Sequence, residues 1–273
     1  MKTILTTTAF ALMASTALAD TITLYTSQPN ADAQQTVDAF KAANPDTDVE
    51  WVRDGTTKLM ARLRAEIEAG NPQPDVLLIA DTVTLEGMAQ EGLLTAYRSP
   101  EAANYDSALY SADGFYHSTK LITTGIVYNT GVETAPTSWN YLSDAALKGQ
   151  VAMPSPLYSG AALIHLATLT GDDSLGWGYY EQLAENDARA QGGNGGTFKA
   201  VASGEKPYGM VVDFLAIRNK AEGSPVEFVF PTEGVSYVTE PVAIMSTAKN
   251  VEGAQKFVDF LLSAEGQDVV LEM

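Results

Sequence analysis

Two short segments carry residue types suited to holding an oxyanion. Ser159, Gly160 and Ala161 open the apolar run 163–170, and Gly55, Thr56 and Thr57 precede a periodic segment containing Leu59, Leu63 and Ile67. The first turn of a helix has N–H groups without intrahelical acceptors and a partial positive charge, so it stabilises a tetrahedral anion. Serine, threonine and glycine are also ordinary helix N-caps whatever the function, and residue type alone leaves both readings open. Other chemistry is poorly provided for. The sequence has no cysteine and two histidines, and it shows neither a G-x-S-x-G nucleophile turn nor a paired-histidine metal motif. A hydrolase or phosphatase needs one of these sets, so the sequence argues for binding and against an enzyme.

The elements that must position these segments alternate along the chain. Residues 21–25 form a β-type run that breaks at Ser27-Gln28-Pro29-Asn30, and 31–42 place Val37 and Phe40 on one helical face. Residues 49–52 predict a second strand, 59–70 an amphipathic helix, and 75–79 a continuous apolar strand of the kind buried on both faces. Such a β-α-β-α-β order exposes the C-terminal strand ends to one crevice, where loops 25–30, 54–58 and 80–84 converge. Further on, 123–128 predict a long crossing strand, 139–147 a short helix, 150–153 and 208–212 strands, 236–245 a returning strand and 251–262 an amphipathic helix.

Composition sets outer limits. The 273 residues, 45% hydrophobic, suffice for two modest α/β lobes with buried cores. A formal net charge of -18 opposes nucleic acid or an anionic membrane as partner. Residues 1–19 combine Lys2, an apolar stretch and Ala17-Leu18-Ala19, the pattern of a secretory signal peptide cleaved before Asp20. A chain so exported and without a lipid-modified cysteine is expected free in a bacterial periplasm.

Several longer segments together resemble a family. TLYTSQPNADAQQTVDAF, PQPDVLLIADTVTLEGMAQEGLL, GIVYNT, SGAALIH and AQKFVDFLLSAEGQ, in this order and spacing, are similar to solute-binding proteins of ABC importers. The similarity is greatest to the branch holding periplasmic ferric-ion-binding proteins and binders of organophosphorus compounds such as 2-aminoethylphosphonate. It implies an α/β, two-lobed periplasmic-binding-protein fold of type II, with lobes joined by crossing strands and one solute held in the cleft between them. Residues 20–122 plus 237–273 would form the first lobe and 123–236 the second. It further implies a monomer without cofactor that closes on its ligand about a hinge and delivers it to an inner-membrane ABC permease. Relatives continue past the equivalent of Glu265-Gly266-Gln267, whereas this sequence stops at Met273.

The resemblance also sorts the ligand classes. Ferric binders place adjacent tyrosines where this sequence has Asp213-Phe214, and a glutamate where it has Ala80; His117 and His165 do not stand at the expected ligand position. The donors for iron are thus missing, and no metal site is expected. Retained is the half that in relatives binds a phosphate-like anion: Ser159, Gly160 and Ala161, with Asn194 in a glycine-rich turn. Ser27, Gln28, Thr56, Thr57 and Thr82 lie in the converging loops. Asp81 and Asp213 each follow an apolar strand, so either they cap the next helix or they face the cleft. Carboxylates beside an anion are repulsive unless the solute also brings a cation, which points to a zwitterion with an ammonium and a phosphonate. A sugar phosphate or a ferric ion is the alternative. Tyr25, Tyr158 and Phe214 belong to the core or the cleft wall, and Glu240 to a hinge or the ligand.

Overall fold

A computed structural model describes residues 20–273, so the expected signal peptide at 1–19 lies outside the described residues. The chain begins with β1 (Asp20–Thr26), α1 (Asn30–Ala43), β2 (Thr47–Arg53), α2 (Thr56–Glu68), β3 (Val76–Leu78), α3 (Thr82–Gln90), β4 (Leu94–Thr95) and β5 (Tyr116–Ser118). It continues with β6 (Ile122–Asn129), α4 (Trp139–Leu142), β7 (Val151–Met153), α5 (Gly160–Thr170), α6 (Gly176–Glu185) and β8 (Arg189–Ala190). Then follow α7 (Asn194–Ala202), β9 (Tyr208–Val212), α8 (Asp213–Ala221), β10 (Val226–Val229) and β11 (Ser236–Val238). The last elements are β12 (Pro241–Met245), α9 (Val251–Leu262) and α10 (Ala264–Leu271).

Two sheets result, each with helices packed on it. The first has strand order β2-β1-β3-β12-β4, with β5 also pairing β12; the second has order β10-β6-β9-β7-β8, with β11 also pairing β6. β1 runs parallel to β2 and β3, so the carboxyl ends of all three open on one edge. That edge carries the loops at Ser27, Gly55 and Ala80, as the strand-helix alternation predicts. The three buried residues of β3 divide between two cores: Val76 and Leu78 join Phe40, Phe257 and Phe260, while Leu77 joins Leu59, Leu63 and Leu85. This period-2 split is why the segment reads as uninterrupted apolar sequence. Phe40 of α1 meets Phe257 and Phe260 of α9 edge-on, with centroids 5.0 and 5.6 Å apart. The C-terminal amphipathic helix thereby closes the first lobe. In the second lobe Trp139 is fully buried, donates from its indole N–H to the Gly234 carbonyl at 2.9 Å, and packs 4.6 Å from the His165 ring.

Several sequence expectations need correction. The run 123–128 is not a strand that crosses between lobes: all of β6 pairs within the second sheet, with β9, β10 and β11. The chain instead changes sheets in the short segments between Ser118 and Ile122 and between Val238 and Pro241. Correspondingly, 236–245 is two strands, interrupted at Glu240, which has φ +41°. A left-handed residue breaks the pleat, and β11 and β12 therefore pair in different sheets. The helix expected over 139–147 is one α-turn, Trp139–Leu142, followed by a 3-10 turn, Ala145–Leu147. α10 was not expected at all; Ser263 ends α9 and caps α10, accepting from Gly266 N–H at 3.2 Å.

Candidate functional site

A cavity of about 480 Å³ lies between the two sheets, and residues of both lobes line it. From the second lobe the starts of α5, α7 and α8 reach it through Ser159 and Ala161, Asn194 and Gly195, and Phe214 and Leu215. From the first lobe come Gly55 and Thr56 at the start of α2, Arg53 at the end of β2, and Ser27 after β1. The N–H groups of Thr56, Ala161, Asn194 and Gly195 have no acceptor among the described residues, as first-turn amides lack intrahelical partners. Helix dipoles from both sides add partial positive charge to the same space.

The hydrogen bonds of Ser159 limit what it can offer this space. Its hydroxyl oxygen takes the Ala162 N–H at 3.3 Å as the N-cap of α5 and the Asn194 side-chain N–H at 3.1 Å. Asn194 is itself fixed, because its Oδ1 accepts from Val212 N–H at 3.2 Å. A hydroxyl has two acceptor lone pairs and one proton. With both lone pairs taken, Ser159 can only donate to a ligand, so its complement is an acceptor.

Arg53 is the functional candidate that the sequence reading missed. Its Nε donates to the Gln28 carbonyl at 2.7 Å and its Nη1 to the Tyr158 hydroxyl at 3.3 Å; among the described residues it forms no salt bridge. The signal was a lone basic residue ending a strand in a strongly acidic chain, just ahead of a Gly-Thr-Thr helix start. Glu240 is the carboxylate of the lining, 3% exposed, with its Oε2 held by Gln28 Nε2 at 3.1 Å and by Lys120 Nζ at 2.9 Å. Among the described residues no donor meets its Oε1.

The lobes touch at the rim. Thr57 N–H donates to the Tyr158 carbonyl at 3.2 Å and Thr57 Oγ1 to the Pro156 carbonyl at 3.0 Å. Two glycines make this approach possible: a Cβ on Gly55 would lie 2.3 Å from the Tyr158 carbonyl oxygen, and one on Gly160 would lie 2.5 Å from the Ala80 carbonyl oxygen. Gly160 therefore serves lobe contact rather than the cavity wall.

A model of the bacterial extracellular solute-binding proteins matches residues 25–268. The chain belongs to this family. Among relatives, it is 28% identical over 249 residues to a putative 2-aminoethylphosphonate-binding periplasmic protein of Salmonella typhimurium, covering 86% of this chain and 70% of that one. It is 27% identical over 238 residues to iron uptake protein A1 of Synechocystis, covering 80% and 65% of the two. Among solved structures, the periplasmic binding protein AfuA of Actinobacillus pleuropneumoniae, with exogenous fructose-6-phosphate bound, aligns with a TM-score of 0.83 at 28% identity, covering 93% of this chain and 82% of that one. The chain thus spans between 65% and 82% of these three proteins' lengths. The fold is the two-lobed type II arrangement expected, and solute binding is the function of the family. Among the described residues no helix is long and apolar enough to cross a membrane.

As a solute-binding protein the chain brings some of its expected site residues to the cavity and leaves others behind it. Ser27, Thr56, Ser159, Ala161 and Asn194 line the cavity, with Tyr158 and Phe214; Gln28, Thr57, Asp81, Thr82, Gly160 and Asp213 do not. Asp81 and Asp213 are absent from the cavity lining and accept hydrogen bonds from within the chain. Asp81 Oδ1 accepts from Thr84 N–H at 3.1 Å and its Oδ2 takes the Thr84 hydroxyl, so this carboxylate caps α3. Asp213 Oδ2 accepts from Thr123 N–H at 3.0 Å and the Thr123 hydroxyl at 2.6 Å, and its Oδ1 accepts from Phe214 N–H at 2.7 Å, tying α8 to β6. Local N–H groups outcompete the cleft for both. Gln28 supports Glu240 and accepts from the Thr36 hydroxyl at 3.3 Å, and the Thr82 hydroxyl pairs with that of Thr239 at 3.2 Å. Tyr25 is wholly buried, its phenol bonded to Glu66 at 2.7 Å; burial first, then that carboxylate, pushes its pKa up to about 12.

Proposed function

We propose that this chain is the periplasmic substrate-binding component of an ABC importer and captures a small organophosphorus solute, with 2-aminoethylphosphonate the first candidate. It acts as a monomer, performs no chemistry on the solute, and hands it to an inner-membrane permease after removal of residues 1–19. The observation that carries this reading is Ser159. Its proton is the one group it has left to offer, and it stands among the free N–H groups of α5, α7 and α2 with Arg53 opposite, a donor set fitted to a phosphonate or phosphate monoester. An ammonium on the same solute would meet the open Oε1 of Glu240 rather than Asp81 or Asp213. Iron fits poorly, because the lining offers one phenol, Tyr158, and one carboxylate, Glu240, the latter already paired with Lys120.

The cavity volume favours a second reading. About 480 Å³ is more than a two-carbon phosphonate fills, so a sugar phosphate held by the same anion donors is the alternative. Thermal-shift screening followed by calorimetry with 2-aminoethylphosphonate, methylphosphonate, a hexose phosphate and a ferric salt separates the three. A true ligand at 100 times its Kd adds about 2.7 kcal/mol of stability. A tight, coloured ferric complex, or no response to any phosphorus compound, overturns the proposal.

A further inference from the structure

A ring of polar contacts runs behind the cavity and joins both lobes to both sheet crossovers. On α8, Arg218 Nη1 meets Asp32 Oδ1 of α1 at 3.0 Å, and the same nitrogen donates to the main-chain oxygen of Met273 at 2.6 Å. The Arg218 guanidinium also lies 5.5 Å from the centroid of the Phe214 ring, while Lys120 Nζ lies 5.6 Å from it. Lys120 pairs with Glu240, Glu240 with Gln28, and Gln28 with Thr36, one turn beyond Asp32 on α1. The ring is closed. Its one direct ion pair between the lobes is Asp32 with Arg218, and neither residue lines the cavity.

The chemistry of this pair is that of a strong contact made only when the lobes meet. Asp32 is 2% exposed, so removing Arg218 while the lobes stay together would leave its carboxylate buried without a counter-charge, and its Oδ2, buried without a partner among the described residues, is a cost of closure that the pair with Arg218 has to offset. Water can enter only if the lobes part. Asp32 sits in the first turn of α1, where the helix dipole favours its charge, and Phe214, which does line the cavity, is flanked by the two cations of the ring.

We propose that Asp32 and Arg218 form an interlobe latch that raises the closed population of the unliganded protein, and that they are positioning residues for whatever solute the cavity takes. Affinity then scales with the competent fraction, since the apparent Kd is the intrinsic Kd divided by that fraction. Asp32→Asn, which keeps the shape, and Arg218→Gln, which breaks the pair from the other side, lower that fraction. The proposal concerns closure and does not rest on the identity of the solute.

Small-angle scattering of the unliganded protein tests it directly. Both single variants are expected to show a larger radius of gyration than the wild type, and the double variant no larger a value than the more expanded single one, because the pair acts as a unit. Thermal melting and circular dichroism monitor folding in parallel. Calorimetry with inorganic phosphate as probe should give Kd values raised by about tenfold in either variant, in proportion to the lost closed fraction. Unchanged radii in folded variants overturn the latch, as does a lowered melting temperature with no expansion, which marks a merely structural pair. Absence of phosphate binding to the wild type counts against the proposed function alone, and the scattering result then stands by itself.

Discussion

The start of α5 in the second lobe reaches the cavity, whereas that of α3 in the first lobe stays behind it. In the second lobe, α5 is capped by a neutral serine whose lone pairs are spent on Ala162 and Asn194, leaving a proton to give. In the first lobe, α3 is capped by Asp81, whose two oxygens each accept from Thr84 and which has no proton to give. The difference teaches that a helix start becomes an anion site when its cap is a donor in surplus. When the cap is a carboxylate, the dipole is already answered from within the chain. The first lobe compensates with Arg53, a full charge delivered from a strand end.

The largest expected effect that sharpens this contrast comes from the histidine on α5, the helix that Ser159 caps. His165, on α5, is 3% exposed, and burial pushes its pKa down to about 3. It therefore adds no positive charge to the site. The unfolded chain binds this proton near the ordinary value of about 6.5 and the folded chain does not, so stability is complete above that pH and falls as pH drops from about 6.5 towards 3. The full loss is on the order of 5 kcal/mol. His165→Asn keeps a polar group near Ser236, the present partner at 3.0 Å, but cannot titrate. Urea unfolding between pH 7 and 4 should show a shallower pH slope for this variant, and an identical slope would mean that His165 charges in the fold.

Next in size is the rim. Gly160→Leu drives a Cβ against the Ala80 carbonyl and the Thr56 side chain, and overpacking costs about 2 kcal/mol, or roughly 30-fold in Kd if it falls on the closed state. Calorimetry checks the affinity, with melting unchanged because the clash exists only between lobes. Ser159→Ala should weaken every phosphorus ligand by about tenfold through loss of a hydrogen bond to a charged group, and should cost about 1 kcal/mol of stability through loss of the cap. The smallest effect breaks or keeps the comparison itself. Asp81→Ala should cost about 1 kcal/mol in thermal melting while leaving the 2-aminoethylphosphonate Kd unchanged. A selective loss for the amine over methylphosphonate would return Asp81 to the cleft.

Much of this arrangement is legible in the sequence. The order of β1, α1, β2, α2 and β3 followed from apolar period and turn residues, which act over a few positions and do not depend on distant contacts. The helix start at Ser159 is equally local, since a cap and its first turn are set by consecutive residues, whereas the family resemblance rests on the order and spacing of segments along the whole chain. What remained undecided was which of several similar caps faces the cavity. Asp81, Asp213 and Ser159 share the same local grammar, and only the register of their strands and the placement of Thr84, Thr123 and Asn194 assign their oxygens.

The sequence by itself determined that the chain is acidic, that its strands alternate with helices, and that several of its helices start with serine, threonine and glycine. Tertiary structure alone decided that Arg53 reaches the same space from the other lobe, that Glu240 takes a left-handed turn between two sheets, and that Arg218 finds Asp32 across 186 positions. The physical reason is range. Capping and periodicity are written in neighbouring residues, whereas a charge placed by the end of a strand, or an ion pair between lobes, depends on how two separately built sheets come to face each other.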